Sequence, residues 1–338
     1  MMSWSKWIIC MLVTFILTGC TANLSNVRAM HEETELSAWI VYWDLPSGEE
    51  ELAKIQHKLK NVSYFAAYFD AENKAFIPAG LQEFLQNQQH QERKYDVYLT
   101  FVNDKILNSG KVVFKDTEFL QELWQNEVTM KKHIDEIISL TKAGGYNGIE
   151  IDYERIWKNK ELVPQFLQFI ELLNVKAEAE NLKVRIILEP SAEFVSDFVK
   201  GPEYVIMLYN LYGLHSEPGP KANTQFIKNK IRQMSPLLNY DVAVALATGG
   251  CMWGSDGSKK FITEVEAYDL EKKYQAKAWR DEKSYCRVFK YQENNVAYEV
   301  WYADSKTINE WIKVSKVNGV NKVSLWRLGS NRSIDKVK

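Results

Sequence analysis

The chain lacks the residues that mark several common classes. Its 338 residues hold only four cysteines and five histidines, with no Cys-x-x-Cys pair and no histidine cluster. The spacing that a bound zinc needs is absent, so no metal is expected. There is also no surplus of charge of one sign: 42 lysines and arginines face 44 aspartates and glutamates, a net charge of −2. Nucleic-acid recognition needs a basic face, and no nucleic-acid partner is expected. No internal repeat and no low-complexity tract interrupts the chain, and glycine (16) and proline (8) are sparse. The only long apolar run is residues 7–17, too short to span a bilayer comfortably as a helix.

That run follows one basic side chain, Lys6, and ends in Leu17-Thr18-Gly19-Cys20, so residues 1–19 read as an export signal. The ending resembles the bacterial lipobox, which implies lipidation at Cys20 and a membrane anchor on the extracytoplasmic face. Each buried CH₂ of an acyl chain contributes about 0.8 kcal/mol to such an anchor. Residues 20–36 then form the lipidated Cys and a polar tether. Cys10 leaves with the signal, so Cys251 and Cys286 remain in an oxidising compartment, where a disulfide and two free thiols both stay open.

The remaining roughly 300 residues suffice for one large barrel or two ordinary domains. Eight β-rich runs recur, at 38–43, 62–69, 95–102, 147–153, 184–189, 204–209, 241–247 and 322–327. Amphipathic stretches separate most of them. Met130, Ile134, Ile137 and Ile138 share one helical face, and Gly144-Gly145 supplies a stop. Phe166, Phe169, Ile170 and Leu173 do the same. Eight such alternations predict an α/β fold, the TIM (β/α)8 barrel, over residues 37–329. The long seventh link holds aromatic strand-like pieces at 284–291 and 296–301, so residues 251–302 read as a small α+β insertion on the catalytic face. A helix is expected over 305–316. Residues 330–338 read as a tail, too short for a full closing helix.

The chemistry concentrates in Gly145-Tyr146-Asn147-Gly148-Ile149-Glu150-Ile151-Asp152-Tyr153-Glu154. Residues two apart on a strand share a face, so Ile149, Ile151 and Tyr153 point to the helices while Glu150, Asp152 and Glu154 point inward. Three carboxylates on one inward face resist ionising together, and such a cost is kept where it sets up acid–base chemistry. Glu154 falls at the strand's C-terminal end, where barrel enzymes place their catalytic groups. A solvated acidic edge would not alternate so cleanly with Ile149 and Ile151.

This segment resembles the strand-four signature of glycoside hydrolase family 18, Asp-x-x-Asp-x-Asp-x-Glu, here Asn147-x-x-Glu150-x-Asp152-x-Glu154. The two positions that carry the mechanism match; the first two read Asn and Glu in place of Asp. Met207-Leu208-Tyr209-Asn210 resembles the family's strand-six segment, and Val323-Ser324-Leu325-Trp326-Arg327-Leu328-Gly329 its strand-eight segment. The run Glu299-Val300-Trp301-Tyr302-Ala303-Asp304-Ser305 resembles an aromatic run of the same family. Alone, Trp326 is as readily core as sugar platform, and Tyr209 is readily a packed ring.

The resemblance implies a substrate-assisted mechanism, one of the exceptions to the two-carboxyl rule for glycosidases. Glu154 would protonate the leaving oxygen while the substrate's 2-acetamido oxygen attacks C1 to form an oxazolinium. Asp152 would hold the acetamido N–H, Tyr209 the acetamido oxygen, and Asn210 the neighbouring groups. Asp152 and Glu154, about 6.6–7 Å apart along a strand, should titrate together, with Glu154 raised. Trp326 would floor the sugar site, and Glu150, Trp43 and Met207 would help bind substrate. Phe69 and Trp253, also at strand ends, are weaker candidates for the groove. No cofactor is required, and a monomer is expected. The expected partner is an N-acetylglucosamine-containing polysaccharide, chitin or peptidoglycan. A lectin-like protein that binds without cutting and an endoglycosidase of N-glycans are the alternatives.

Overall fold

All eight β-rich runs become parallel strands of one closed barrel, in a computed structural model that describes residues 33–88, 93–192 and 198–338. The expected export signal and lipidation site Cys20 lie outside these residues. The strands are β1 (Glu35–Val41), β2 (Leu59–Phe69), β3 (Asp96–Ile106), β4 (Gly148–Asp152), β5 (Lys183–Leu188), β6 (Glu203–Met207), β7 (Asp241–Ala247) and β8 (Lys322–Trp326). Each pairs with its sequence neighbours, and β8 pairs with β1 to close the ring. The architecture is the TIM (β/α)8 barrel.

The outer ring follows from the helical faces read in the sequence. Helix Glu127–Ala143 buries Met130, Ile134, Ile137 and Ile138, and helix Leu162–Ala179 buries Phe166, Phe169, Ile170 and Leu173. Burying one such side chain contributes about 1.5–3 kcal/mol, and here all of them join Ile149, Ile151 and Tyr153 of the β4 segment in one cluster. The helix stops at Ala143 because Gly145 takes φ 71°, which lets Tyr146 N–H reach Thr141 O at 3.1 Å and Gly145 N–H reach Lys142 O at 3.1 Å. Such a turn satisfies the last carbonyls of a helix and costs a glycine least. It also aims the chain directly into β4.

Between β7 and β8 the chain builds a separate five-stranded antiparallel sheet, formed by Gly249–Gly254, Lys259–Ile262, Trp279–Arg280, Arg287–Glu293 and Val296–Ala303. Helix Glu264–Lys273 packs on it, and helix Ser305–Val317 returns the chain to β8. The end of the chain closes the barrel with a single short turn, Ile334–Lys336. Residues 330–338 pack against the barrel, with Ile334 and Val337 buried in the main core. Glu51 fastens the approach by accepting from the N–H groups of Gly329 (2.8 Å) and Asn331 (2.5 Å).

Candidate active site

The C-terminal ends of the strands open into a cleft of about 770 Å³, within the range of about 300–1,000 Å³ usual for ligand pockets. Its floor is set by the alternation of β4. Asp152 and Glu154 reach the cleft, as do Met207, Tyr209, Asn210, Trp326 and Trp43.

Glu150 does not. It is fully buried one layer deeper, and its two oxygens accept from Trp39 Nε1 (2.5 Å), Thr100 Oγ1 (2.7 Å), Ser63 Oγ (2.9 Å) and Arg185 Nη1 (2.9 Å). A carboxylate with both oxygens so committed has no capacity for a sugar. The assignment of Glu150 to substrate binding is therefore corrected: it supports the site from below. Arg185 stands beside it in register on β5 and also donates to Ser324 Oγ at 2.7 Å and Asn61 Oδ1 at 3.1 Å. Phe69 and Trp253 are likewise removed from the groove. Phe69 packs on Phe119, with ring centroids 4.7 Å apart, and Trp253 is buried with its indole N–H on Ser216 O at 3.0 Å.

Asp152 is enclosed, and its Oδ1 is a buried oxygen with no hydrogen-bond partner. Burial, and then the charges of Glu154 and Glu150, push its carboxyl well above the usual range. An unpaired buried acceptor is costly, so its presence at a cleft floor points to a ligand donor. Glu154 is held through its backbone: its N–H donates to Asn103 Oδ1 at 2.9 Å, and its carbonyl accepts from Asn103 Nδ2 at 3.0 Å. Arg155 then turns the chain at φ 64°, its N–H donating to Glu189 Oε2 at 2.7 Å. A non-glycine residue in that region marks a locally determined, often functional, turn. Burial raises the Glu154 carboxyl, and Lys115 opposes this by forming an ion pair with its Oε2.

Aromatic rings build the walls. Trp326 stands edge-on to Phe65 (5.0 Å) and Trp39 (5.8 Å), and lies nearly parallel to Tyr209 with centroids 6.5 Å apart. Burial and the nearby carboxylates keep the Tyr209 phenol protonated as a donor. Trp43, 54% exposed, extends the wall from the turn after β1. Met207 packs beneath with Trp39 and Ile187.

Sequence reasoning missed Trp39, Lys115, Arg185 and Lys221. Arg185 had a signal: a cation between the apolar Val184 and Ile186 on a buried strand must face a partner. Lys115 and Lys221 come from loops and had none. Cys251 and Cys286 are both buried free thiols, so no disulfide links them. Among the described residues no group of acidic, histidine or cysteine side chains is arranged to hold a metal ion.

No protein-family model matches the chain. Over 231 residues it is 26% identical to the uncharacterized glycosylase YvbX of Bacillus subtilis, covering 64% of this chain and 67% of that protein. Over 226 residues, 59% of the chain, it is 24% identical to the cortical fragment-lytic enzyme of Bacillus anthracis, of which it spans half the length. Among solved structures, the spore cortex-lytic enzyme SleL of Bacillus cereus matches with a TM-score of 0.73 at 18% identity, over 90% of this chain and 73% of that one. A class V chitinase of Nicotiana tobaccum in complex with NAG4 matches with a TM-score of 0.70 at 12% identity, over 90% and 97%. The motif resemblance and these comparisons converge: by fold the chain stands with chitinases and cortex-lytic enzymes, and by sequence it is similar to bacterial glycosylases.

Proposed function

We propose that the cleft is the active centre of a retaining, substrate-assisted glycosidase that cuts β-1,4 bonds next to N-acetylglucosamine in a chitin-like or peptidoglycan polymer. The observation that carries this reading is the unpartnered Oδ1 of Asp152 beside the raised carboxyl of Glu154. An acetamido N–H is the donor that Asp152 lacks. Once it is held, the acetamido oxygen is placed for attack at C1, and the oxazolinium forms as Glu154 gives its proton to the leaving oxygen. Tyr209 donates to the acetamido oxygen, and Asp152 stabilises the positive charge that develops. Glu154, now a carboxylate, takes a proton from the water that opens the ring. Trp326 and Trp43 offer apolar faces to the sugar rings. The signal-like run of residues 1–19 and its ending Leu17-Thr18-Gly19-Cys20 support a location on the extracytoplasmic face of the cell membrane, held through Cys20; mass spectrometry of the mature N-terminal peptide tests that.

The test is mass spectrometry of products from chitin oligomers, purified peptidoglycan and a high-mannose glycopeptide, with Glu154→Gln alongside. General acid catalysis contributes about 10²–10⁴-fold. The variant should fold normally and lose at least that much turnover, and near-normal turnover by it would sink the assignment. The ion pair between Lys115 and Glu154 favours one second reading, a lectin-like protein whose acid is held ionised. Oligosaccharide binding without any product would establish that reading instead.

A further inference from the structure

One cation of the cleft has no counter-charge. The loop after β6 folds back so that Leu211 N–H donates to Lys221 O at 3.0 Å, which carries Lys221 to the cleft wall alongside Tyr209 and Asn210. The other cations there are committed: Lys115 to Glu154, and Arg327 to Asp44 at 2.7 Å. Glu266, on the same wall, is taken by Lys260 (2.7 Å) and by the N–H of Thr263 (2.8 Å). Among the described residues the Lys221 ammonium forms no ion pair and no hydrogen bond. It lies over the ring of Phe261, 5.2 Å from the ring centre, on the insertion sheet. Burial between that sheet and the barrel, with Arg327 nearby, pushes its pKa down. An enclosed ammonium without a partner is unfavourable until an anion meets it.

We infer that Lys221, framed by Phe261 and Arg327, is a subsite for a carboxylate borne on the glycan. Resting on the glycosidase reading above, this makes an acidic N-acetylated glycan, such as one with muramyl lactyl groups, the preferred substrate over a neutral chitin chain. The arrangement suits the task. Phe261 is 59% exposed and offers an apolar face to the sugar, while the ammonium above it takes the charge. Arg327 adds positive potential without competing for the same oxygens, because Asp44 already holds it.

The test separates binding from turnover. Calorimetry on the full chain in the Glu154→Gln background uses four ligands. They are a peptide-stripped peptidoglycan tetrasaccharide with free lactyl carboxylates, its methyl ester, the peptide-bearing tetrasaccharide, and the N-acetylglucosamine tetramer. The free acid should bind at least about tenfold tighter than its ester, a ratio expected when a charge-assisted contact is lost. Adding Lys221→Met should abolish that preference, and Lys221→Arg should keep most of it, which separates loss of charge from loss of fold. A Lys221-dependent preference for the peptide-bearing ligand over the stripped one supports the same subsite and assigns its carboxylate to the stem peptide. Equal binding of acid and ester, or a preference that survives Lys221→Met, overturns the inference. Turnover by the chain with Glu154 intact is read separately. Product without acid–ester discrimination removes the subsite and leaves the hydrolase, whereas discrimination in binding without product from any glycan does the reverse. Failure of all four ligands to bind removes both.

Discussion

Burial and Lys115 act on Glu154 in opposite directions, and the balance decides the pH range over which the residue keeps the proton that the proposed reaction needs. The proposed first step needs a protonated Glu154, so turnover is expected to fall as pH rises through its folded-state pKa. Burial raises that pKa, and the ammonium of Lys115 lowers it. Replacing Lys115 with Met removes the lowering influence. The alkaline limb of kcat/KM for Lys115→Met should therefore move to higher pH, and an unmoved or lowered limb would show that Lys115 does not hold the carboxylate in solution. Asp152 gives a second test. Its carboxyl is raised well above the usual range, by burial first and then by Glu154 and Glu150. The folded chain thus holds this proton at pH values where the unfolded chain releases it, and stability falls as pH rises above the unfolded value. Asp152→Asn should raise Tm at pH 7, with a gain that shrinks towards pH 4, while turnover drops by about 10²-fold or more. A variant that loses stability at pH 7 would contradict the assigned cost.

At the scale of the element, β4 shows both how far the sequence could be read and where it stopped. Alternation identified the strand and its two faces, because Ile149, Ile151 and Tyr153 need the helices while their neighbours cannot share them. Alternation does not report depth. Glu150 and Glu154 share a face, yet four residues separate them by about 13 Å along the strand, enough to put one in the cleft and the other inside the barrel. What lies beside each depends on register with β3 and β5, where Glu150 meets Thr100 and Arg185. No single strand carries that information. Phe69 and Trp253 failed as groove residues for the same reason: a strand end is legible, but which wall it faces is not. The buried pair yields a stability prediction. Arg185→Met would leave the Glu150 carboxylate uncompensated at 0% exposure, and breaking such a pair costs about 3–5 kcal/mol. Denaturant unfolding should show that loss, with much of it recovered in Arg185→Met combined with Glu150→Gln. A double variant no more stable than the single would mean that the loss comes from packing rather than from the stranded charge.

Across the whole molecule, the same β4 segment joins the candidate active site to the acid response of the fold. Its outward side chain Tyr153 lies between Asp152 and Glu154, and its hydroxyl meets His133 Nε2 of helix Glu127–Ala143 at 3.1 Å. His133 sits in the aromatic cluster with Phe169 and Phe69, and burial pushes its pKa from 6.5 down to about 3. The unfolded chain therefore takes up a proton below pH 6.5 that the folded chain refuses until about pH 3. Within that window stability falls as pH falls, by about 1.4 kcal/mol per unit for one proton. The buried carboxyls of Asp152 and Glu154 are raised and act in the opposite sense, so the total curve mixes both signs. A difference between two chains isolates the histidine. His133→Gln keeps a polar group near Tyr153 and cannot take the proton. Measured by denaturant unfolding at pH 6 and pH 4, the stability of the native chain minus that of His133→Gln should decrease by about 2–3 kcal/mol. An unchanged difference would mean that the histidine meets water before the chain unfolds, and that the helix behind β4 opens locally as the pH falls.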